Sequence, residues 1–596
     1  MDGDNKRNMI LAIVLSAVIM LGWQFFVALP QEEARQAAQQ QQAAEQAQSG
    51  ANEAAQPKIG SEVPAGIQSV ADLPKARNDV LDDTARLEIE TPRLSGSIAL
   101  KGARFDDLTL RNYHETVDEE SANIVLLNPV GTEKPYHAEF GWLGQSGDLP
   151  TRATVWTADK PALTVNDPVT LSWTNDKGVR FEQVITLDQN YMFTVTQRVV
   201  NEAGEPLTVA PYGVISRTGT PKVLGYYILH EGPVGFLGES LKEPKYDDLI
   251  DEGVVQPAQK QETTGGWLGI TDKYWLTALI PDQTETVQTS FTGDRANGKN
   301  RYQADFLTDA KTVAPGQALE VTNRLFAGAK ETTLLDSYRD NLGIANFDLA
   351  VDFGWFYWLT KPIFYGIHFL HGVLGNFGLA ILALTFGIKL LFFPLANKSY
   401  KSMSKMKLLQ PKMVELKERY GDDRQKLNME MMELYKKEKV NPLSGCLPIL
   451  LQIPVFFSLY KVLFVTIEMR HAPFYGWIHD LSAPDPLGLL EGFGMFSWEV
   501  PAALAIVNIG VWPVIMGLTM FLQQKLNPAP ADPIQAKVFM FMPIMFTFIL
   551  GGFPAGLVIY WAWNNSLSIL QQYVIMRRMG VAIGGGKAKT GDEAKS

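Results

Sequence analysis

The chain has 596 residues, of which 46% are hydrophobic and 20% charged, long enough for several domains and ordinary on average for a globular protein. Residues 351–596 carry 23 Lys and Arg against 16 Asp and Glu, a net of +7, while residues 1–350 carry 30 against 48, a net of −18, so the two halves are expected to face different compartments. A single cysteine, Cys446, excludes an intrachain disulfide and reads as a small buried residue, and seven scattered histidines leave no Cys/His cluster at metal-ligand spacing.

In chain order, Lys6 and Arg7 precede MILAIVLSAVIMLGWQFFVAL at 9–29. About 20 apolar residues fit a full span better than a signal-peptide core, and no clear small-x-small cleavage site follows. Residues 1–30 therefore read as an uncleaved anchor with its basic end in the cytoplasm. Residues 31–79, rich in Gln and Ala with almost no large apolar side chain, cannot offset the entropy of ordering and read as a low-complexity tether.

From 80 to 335 the period changes to two. VTLSWT (169–174), VRFEQVITL (179–187) and MFTVTQRVV (192–200) alternate, with turn-formers NDKG (175–178) and NEAGEP (201–206) between such runs. This predicts an all-β sandwich of one large domain, lying outside the cytoplasm because it follows one span.

Helical patterning follows. FGWFYWLTKPIFYGIHFLHGVLG (353–375) is aromatic-rich and reads as a helix lying at the membrane surface, within a connection at 336–372. Spans are expected at 373–396, 447–467, 502–522, 538–553 and 555–576, which with the anchor makes six, five of them forming a core bundle over 373–576. Residues 398–442 hold 12 Lys and Arg, whereas 468–500 hold only Arg470 against five acids, so the first connection is cytoplasmic and the second is not. Threading six spans from an inside N-terminus agrees, and puts the basic tail at 577–596 inside.

Within 398–442, Met406, Leu409, Met413, Leu416 and Tyr420 recur at steps of three and four, Gly421 stops the helix, and Asp422 with Gln425 forms a capping box for the next. Leu427, Met431 and Leu434 continue the seam, giving an antiparallel helical hairpin. Its lysines and exposed methionines suit a docking surface for varied partners; a plain solvated hairpin with Met filling gaps is the alternative.

The stretch LALTFGIKLLFFPLA (382–396) places Lys389 inside an apolar run. A charge near the bilayer centre costs about 2.5 to 3.5 kcal/mol, so it marks either a functional site or a side chain reaching for the headgroups. Thr385 lies one turn before it. Asn508, Trp512 and Thr519 fall close to one face of their span, as do Trp561, Asn565, Ser568 and Gln572 of the last, and Gln452 lies in a third. Singly, each stripe reads as interhelical hydrogen bonding; together with a cation, a water-accessible groove is the better reading. The span at 538–553, 16 residues long, would thin the bilayer around it, and prolines at 394, 448, 454, 513 and 543 interrupt the helical ladders.

No nucleotide-binding or H-E-x-x-H motif occurs; GGGKAKT near the C-terminus fails the phosphate-loop pattern. NPLSGCLPILLQIPVFFSLYKVL (441–463), KMKLLQPKM (405–413), GWIHDLSAPDP (476–486) and FPAGLVIYW (553–561) resemble the YidC family of membrane-protein insertases, of the Gram-negative type with a large periplasmic domain. The likeness extends to GGWLGITDKYWLTALIP (265–281) and is absent from the tether. It implies a polytopic helical protein of the bacterial inner membrane, both termini cytoplasmic, without cofactor, metal or enzymatic activity. Its hydrophilic groove would be open to cytoplasm and lipid and hold one basic residue, here Lys389, with Thr385, Gln452 and Trp561 at other groove positions. In the family that residue is often arginine, which stays charged where a desolvated lysine can lose its proton.

By the same resemblance the β domain is similar to a periplasmic super-sandwich related to sugar-processing folds. Met403, Met406, Lys407, Met413, Met429 and Met432 on the hairpin and Arg577 and Arg578 in the tail would dock cytoplasmic partners. Those partners are the ribosome and the signal recognition particle receptor; nascent membrane proteins are the substrates, handled alone or beside the Sec translocon, in the lipid bilayer. Two competitors stay open. A small-anion transporter using Lys389 at the midplane predicts inverted repeats, which the bundle does not show. An anchored sugar-modifying enzyme needs paired acid and base groups, for which HE at 114–115 and 230–231 is weak support.

Overall fold

The computed structural model describes residue 63 and residues 74–579, apart from short stretches at 145–147, 224, 226–228, 297, 422, 439, 441–446, 497, 499, 502–503, 505–506 and 528–532. The expected anchor at 9–29, nearly all of the tether, Cys446, Asp422 and the tail beyond 579 lie outside the described residues.

The period-two runs form strands where the alternation places them: Val169–Thr174 pairs with Val179–Leu187, which pairs with Met192–Asn201, which in turn pairs with Ala318–Ala329, all antiparallel. They belong to a nine-stranded sheet facing an eleven-stranded one. The faces meet through large side chains, with Phe105 of the larger sheet edge-on to Phe193 of the smaller at 5.4 Å between ring centroids. Two short helices, α1 (Arg77–Asp82) and α2 (Tyr246–Leu249), decorate the sandwich. A longer one, α3 (Thr332–Leu342), with the 3₁₀ turn Phe347–Ala350, closes one side, Phe347 packing 5.4 Å from both Phe326 and Trp267.

The aromatic stretch forms α4 (Tyr357–Leu374), ended by Gly375 at φ 68°, a left-handed position that suits glycine. One side of it is buried through Ile363, Phe364 and Ile367, and the other leaves Trp358, Phe369 and Val373 exposed. The amine of Lys361 ties α4 to the sandwich, donating to Asp336 Oδ1 and Asp348 Oδ2, each at 2.6 Å, and to Tyr357 OH at 2.7 Å.

The expected single span at 373–396 is two helices. Asn376 caps α5 (Phe377–Leu391) by accepting from Leu379 N, the chain breaks at Phe392, and α6 (Phe393–Leu408) continues at a bend of 69°. Pro394 cannot donate to the preceding turn and sits instead in the first turn of α6, where no donor is needed. No single helix among the described residues is long and apolar enough to cross a membrane; this bent pair meets that length and composition together.

A second break, at Leu409, starts α7 (Gln410–Tyr420), with Pro411 in its first turn. Then α8 (Arg424–Lys437) runs back, with Lys412 Nζ 2.9 Å from Glu438 Oε1 and Tyr435 OH 3.8 Å from Met413 Sδ. The seam residues Met413, Leu416, Tyr420, Leu427, Met431 and Leu434 are half-buried, as the spacing predicts. Two details differ from expectation: the cap is Asp423, whose Oδ1 accepts from Lys426 N at 3.0 Å, and Gly421 is right-handed, at φ −59°.

Helix α9 (Leu447–Val465) leads through the 3₁₀ turn Ile467–Met469 into a long loop. Where a span was expected at 502–522, the helix α10 (Val511–Leu526) begins later, its entry set by Asp485 Oδ2 accepting from Trp512 N at 2.8 Å. The expected 16-residue span at 538–553 is instead α11 (Pro533–Gly551), 19 residues long, because the helix starts on a proline upstream of the apolar run. Last, α12 (Ala555–Arg578) covers the expected 555–576.

The sandwich and the bundle meet at the end of α9. Glu468 Oε1 accepts from Thr332 N at 2.9 Å, capping α3 from a neighbouring segment, and Arg470 stacks over Trp275 and donates to His114 O. Glu468 Oε2 is buried without a partner; burial, with Glu331 adding to it, pushes this carboxyl up to about 7. A folded-state pKa above the unfolded one means the fold holds the proton more tightly, so stability falls as pH rises from about 4.5 to 7. Glu468→Gln keeps the acceptor and removes the charge. Its expected result is an unchanged unfolding free energy at pH 4.5 and a higher one at pH 8, by on the order of 1–3 kcal/mol; the same stability as the parent chain at both pH values would show that the carboxyl titrates normally.

Candidate functional site

Lys389 sits on the last turn of α5 with its amine turned into the bundle, donating to Ser568 Oγ on α12 at 2.7 Å. Ser568 Oγ in turn donates to Asn564 O at 2.9 Å, and Asn564 Oδ1 accepts from Gln452 Nε2 of α9 at 2.9 Å. Asn564 Nδ2 reaches Tyr560 OH at 3.3 Å. Three helices thus converge on one polar chain. Beside it lies a cavity of about 50 Å³ lined by Lys389, Ile388, Tyr400, Gln452, Tyr560 and Asn564 among others, room for a few waters. The oxygen that meets the amine, Ser568 Oγ, is neutral, and among the described residues no carboxylate is in ion-pair contact with Lys389. A cation held only by dipoles keeps most of its field for whatever enters the cavity.

The sequence-predicted residues divide into groups. Lys389, Gln452 and Ser568 share the polar chain. Thr385 is buried one turn away with its hydroxyl donating to Ile381 O at 2.7 Å. Asn565 faces the other side of α12 and donates to Thr519 of α10 at 3.3 Å. Trp561 packs edge-on to Phe456 at 4.7 Å, as a wall between α12 and α9. Asn508 and Trp512 are not brought to the lysine. Asn508 precedes α10, which starts only at Val511, and accepts from Leu490 N at 2.9 Å, while Trp512, on the first turn of α10, packs its ring near Phe474.

Tyr400, Tyr560 and Asn564 were missed. The spacing of four from Tyr560 through Asn564 to Ser568 puts them on one face and is a signal that finds two of them. On α6 to α8, Met429 and Met432 are exposed, Met403, Met406 and Met413 half-buried, and Lys407 Nζ reaches Lys525 O at 3.3 Å; Arg577 and Arg578 end α12, exposed. The HE pairs are occupied structurally, His114 Nδ1 lying 2.9 Å from Ser121 O and His230 Nε2 2.8 Å from Pro233 O.

A large β-sandwich joined to a bundle of apolar helices around an inward-facing lysine defines a membrane-associated class in which polar chemistry is kept inside the bundle. Residues 86–366 match the family described as YidC periplasmic domain, and residues 369–582 the family described as 60Kd inner membrane protein. The membrane protein insertase YidC of Methylobacterium radiotolerans is 52% identical, over 98% of this chain and 96% of that protein. That of Rhizobium meliloti is 51% identical, over 97% of each. The chain belongs to the YidC family of inner-membrane protein insertases. Among solved structures, an active YidC insertase is 18% identical with a TM-score of 0.34, covering 82% of this chain and 93% of that one. A galactose mutarotase-like protein from Lactobacillus casei is 12% identical with a TM-score of 0.27, covering 41% of this chain and 99% of that one. The comparisons give the small-anion transporter no support.

Proposed function

We propose that the chain inserts membrane proteins by receiving the polar tail of a client in the cavity beside Lys389, while the client's apolar segment passes into lipid along α9 and α11. The observation that carries this is the inward amine bonded to Ser568, with neutral partners only. An acidic group on the client supplies the missing counter-charge, and hydrophobic transfer of the segment, at roughly 25 cal/mol per Å² of apolar surface, drives release into the bilayer. No reaction is catalysed.

In this reading the protein is multi-pass in the inner membrane with both termini cytoplasmic. Residues 1–30 are the anchor, 31–79 the tether, 80–335 the periplasmic sandwich, 336–372 the interfacial connection, 373–576 the insertase core and 577–596 the tail. The hairpin at 398–442 is cytoplasmic and, with the tail, offers Met403, Met406, Lys407, Met413, Met429, Met432, Arg577 and Arg578 to the ribosome and the signal recognition particle receptor. The Sec translocon is a lateral partner. The excess of basic residues at 398–442 supports this orientation.

A cysteine at Gln452 in the Cys446→Ser background tests the groove. In membrane vesicles it should react with a membrane-impermeant maleimide from the cytoplasmic side, while a cysteine at the lipid-facing Leu518 should not. An unreactive Gln452 position would mean a dry bundle and no groove.

A further inference from the structure

Between α9 and α10 the chain makes a closed excursion with fixed ends. Asp485 Oδ1 accepts from Trp477 Nε1 at 3.0 Å and Leu487 N at 3.1 Å while its Oδ2 takes the first turn of α10. Gly488 and Gly510 pair across the neck, where a Cβ at 488 would lie 2.0 Å from the Asn508 side chain and one at 510 would lie 2.4 Å from Asp485. Leu489 N donates to Ile509 O at 2.9 Å, and Asn508 accepts from Leu490 N at 2.9 Å and donates through Nδ2 to Glu491 Oε1 at 3.3 Å. The polar groups of this neck are spent on one another. Beyond it Leu489, Phe493, Met495, Phe496 and Trp498 are exposed by 45, 37, 77, 62 and 46%, five large apolar side chains within ten residues, the one carboxylate among the described residues of this stretch, Glu491, accepting from Asn508. Trp498 Nε1 donates to Leu490 O at 2.9 Å, so its ring can leave water without stranding a donor.

The depth of α10 says what covers them. Its other end is marked by Gln523, Gln524 and Lys525, and from Val511 to Leu522 the apolar part runs roughly 18 Å at 1.5 Å per residue. Against a hydrocarbon core of about 30 Å, this helix stops on the order of 10 Å short on the periplasmic side. The excursion starts at that level. No lysine or arginine lies between 471 and 524 to hold it at phosphate groups.

Resting on the membrane reading above, we propose that this tip is immersed in the acyl region of the periplasmic leaflet, with lipid as its partner, completing the layer that α10 leaves open.

The test uses the full chain with Cys446→Ser, spin-labelled at Met495→Cys or at Leu518→Cys, in vesicles of phosphatidylethanolamine and phosphatidylglycerol. Both labels are expected to be several-fold more accessible to oxygen than to a water-soluble nickel chelate. A lipid-shielded Leu518 label with a chelate-accessible Met495 label overturns the inference alone and shows that the bilayer thins instead. Chelate access at both positions overturns the membrane reading itself. Spin–spin broadening at Met495 that disappears on dilution with unlabelled chain identifies a second copy as the partner and overturns the lipid assignment.

Discussion

Lys389→Ala is expected to slow insertion of a client with an acidic translocated tail about tenfold or more, and to leave a client with a neutral tail nearly unaffected. The reason lies in the neighbours of the amine. Its protein partner is the neutral Ser568 hydroxyl, so no internal carboxylate competes with the client. Two unit charges 4 Å apart at an effective dielectric near 20 attract by about 4 kcal/mol, and partial desolvation of the tail offsets some of that. A residue of 1.4 kcal/mol is already tenfold in rate. Lys389→Arg should retain most of the activity because the charge persists on a side chain of similar reach. Lys389→Gln should behave like alanine with acidic tails. The contrast between client tails separates attraction from damage to the bundle: equal slowing of both clients in a proteoliposome assay would mean that Lys389 serves packing only.

The second large effect is expected at the joint between sandwich and bundle. Lys361→Met leaves Asp336 and Asp348, 9% and 3% exposed, without their shortest cation contact. Removing one partner from a buried charge cluster costs about 3–5 kcal/mol. Here Arg339, at 3.0 and 3.1 Å from the same two carboxylates, compensates in part, so the expected loss is roughly 2–4 kcal/mol. Unpaired buried carboxylates rise in pKa, so the loss should shrink on acidification, and Asp348→Asn in the same chain should recover part of it. Chemical denaturation followed through the tryptophans of the sandwich reads this. A stability equal to that of the parent chain at pH 8 would show that the cluster is solvated and that α4 is held by its apolar face alone.

Much of the architecture can be read from residue order because each β run obeys one local rule. In Val179–Leu187 the buried set falls on alternate residues, with Glu182, paired with Arg180 and Arg198, the one addition, and Asn175, whose Oδ1 accepts from Lys177 N and Val179 N, makes the turn that NDKG announces. The hairpin seam is legible for the same reason, its steps of three and four being a helical face. Hydropathy sums cannot see breaks. Residues 373–396 are apolar apart from Asn376, Thr385 and Lys389, enough to sum as one span, yet Asn376 and Pro394 restart helices within them. At 502–522 the composition is right for a span, but Asp485, far away in sequence, decides that α10 begins at Val511. That same late start leaves Asn508 off the helix face that carries Thr519.

The candidate site was half visible. Lys389, Gln452 and Ser568 are conspicuous as polar groups in apolar runs. Which of them meet depends on how α5, α9 and α12 cross, a tertiary property that no single helix face carries. Tyr560 and Asn564 do not stand out in the sequence because Trp561 and Asn565, one residue along, are equally polar; the choice between two adjacent faces of α12 is made by its neighbours, Asn565 donating to Thr519 of α10.

The central claim is that clients travel through a wet, positively lined cavity inside the bundle. Photo-crosslinking a ribosome-stalled nascent membrane protein to a probe placed at Tyr400, beside Lys389 in the cavity wall, tests it most directly. The polar N-terminal tail of the client should crosslink there early in insertion, with its apolar segment crosslinking instead to α9 and α11. Tails that crosslink only to the exposed Leu518 face, and never to Tyr400, would contradict it.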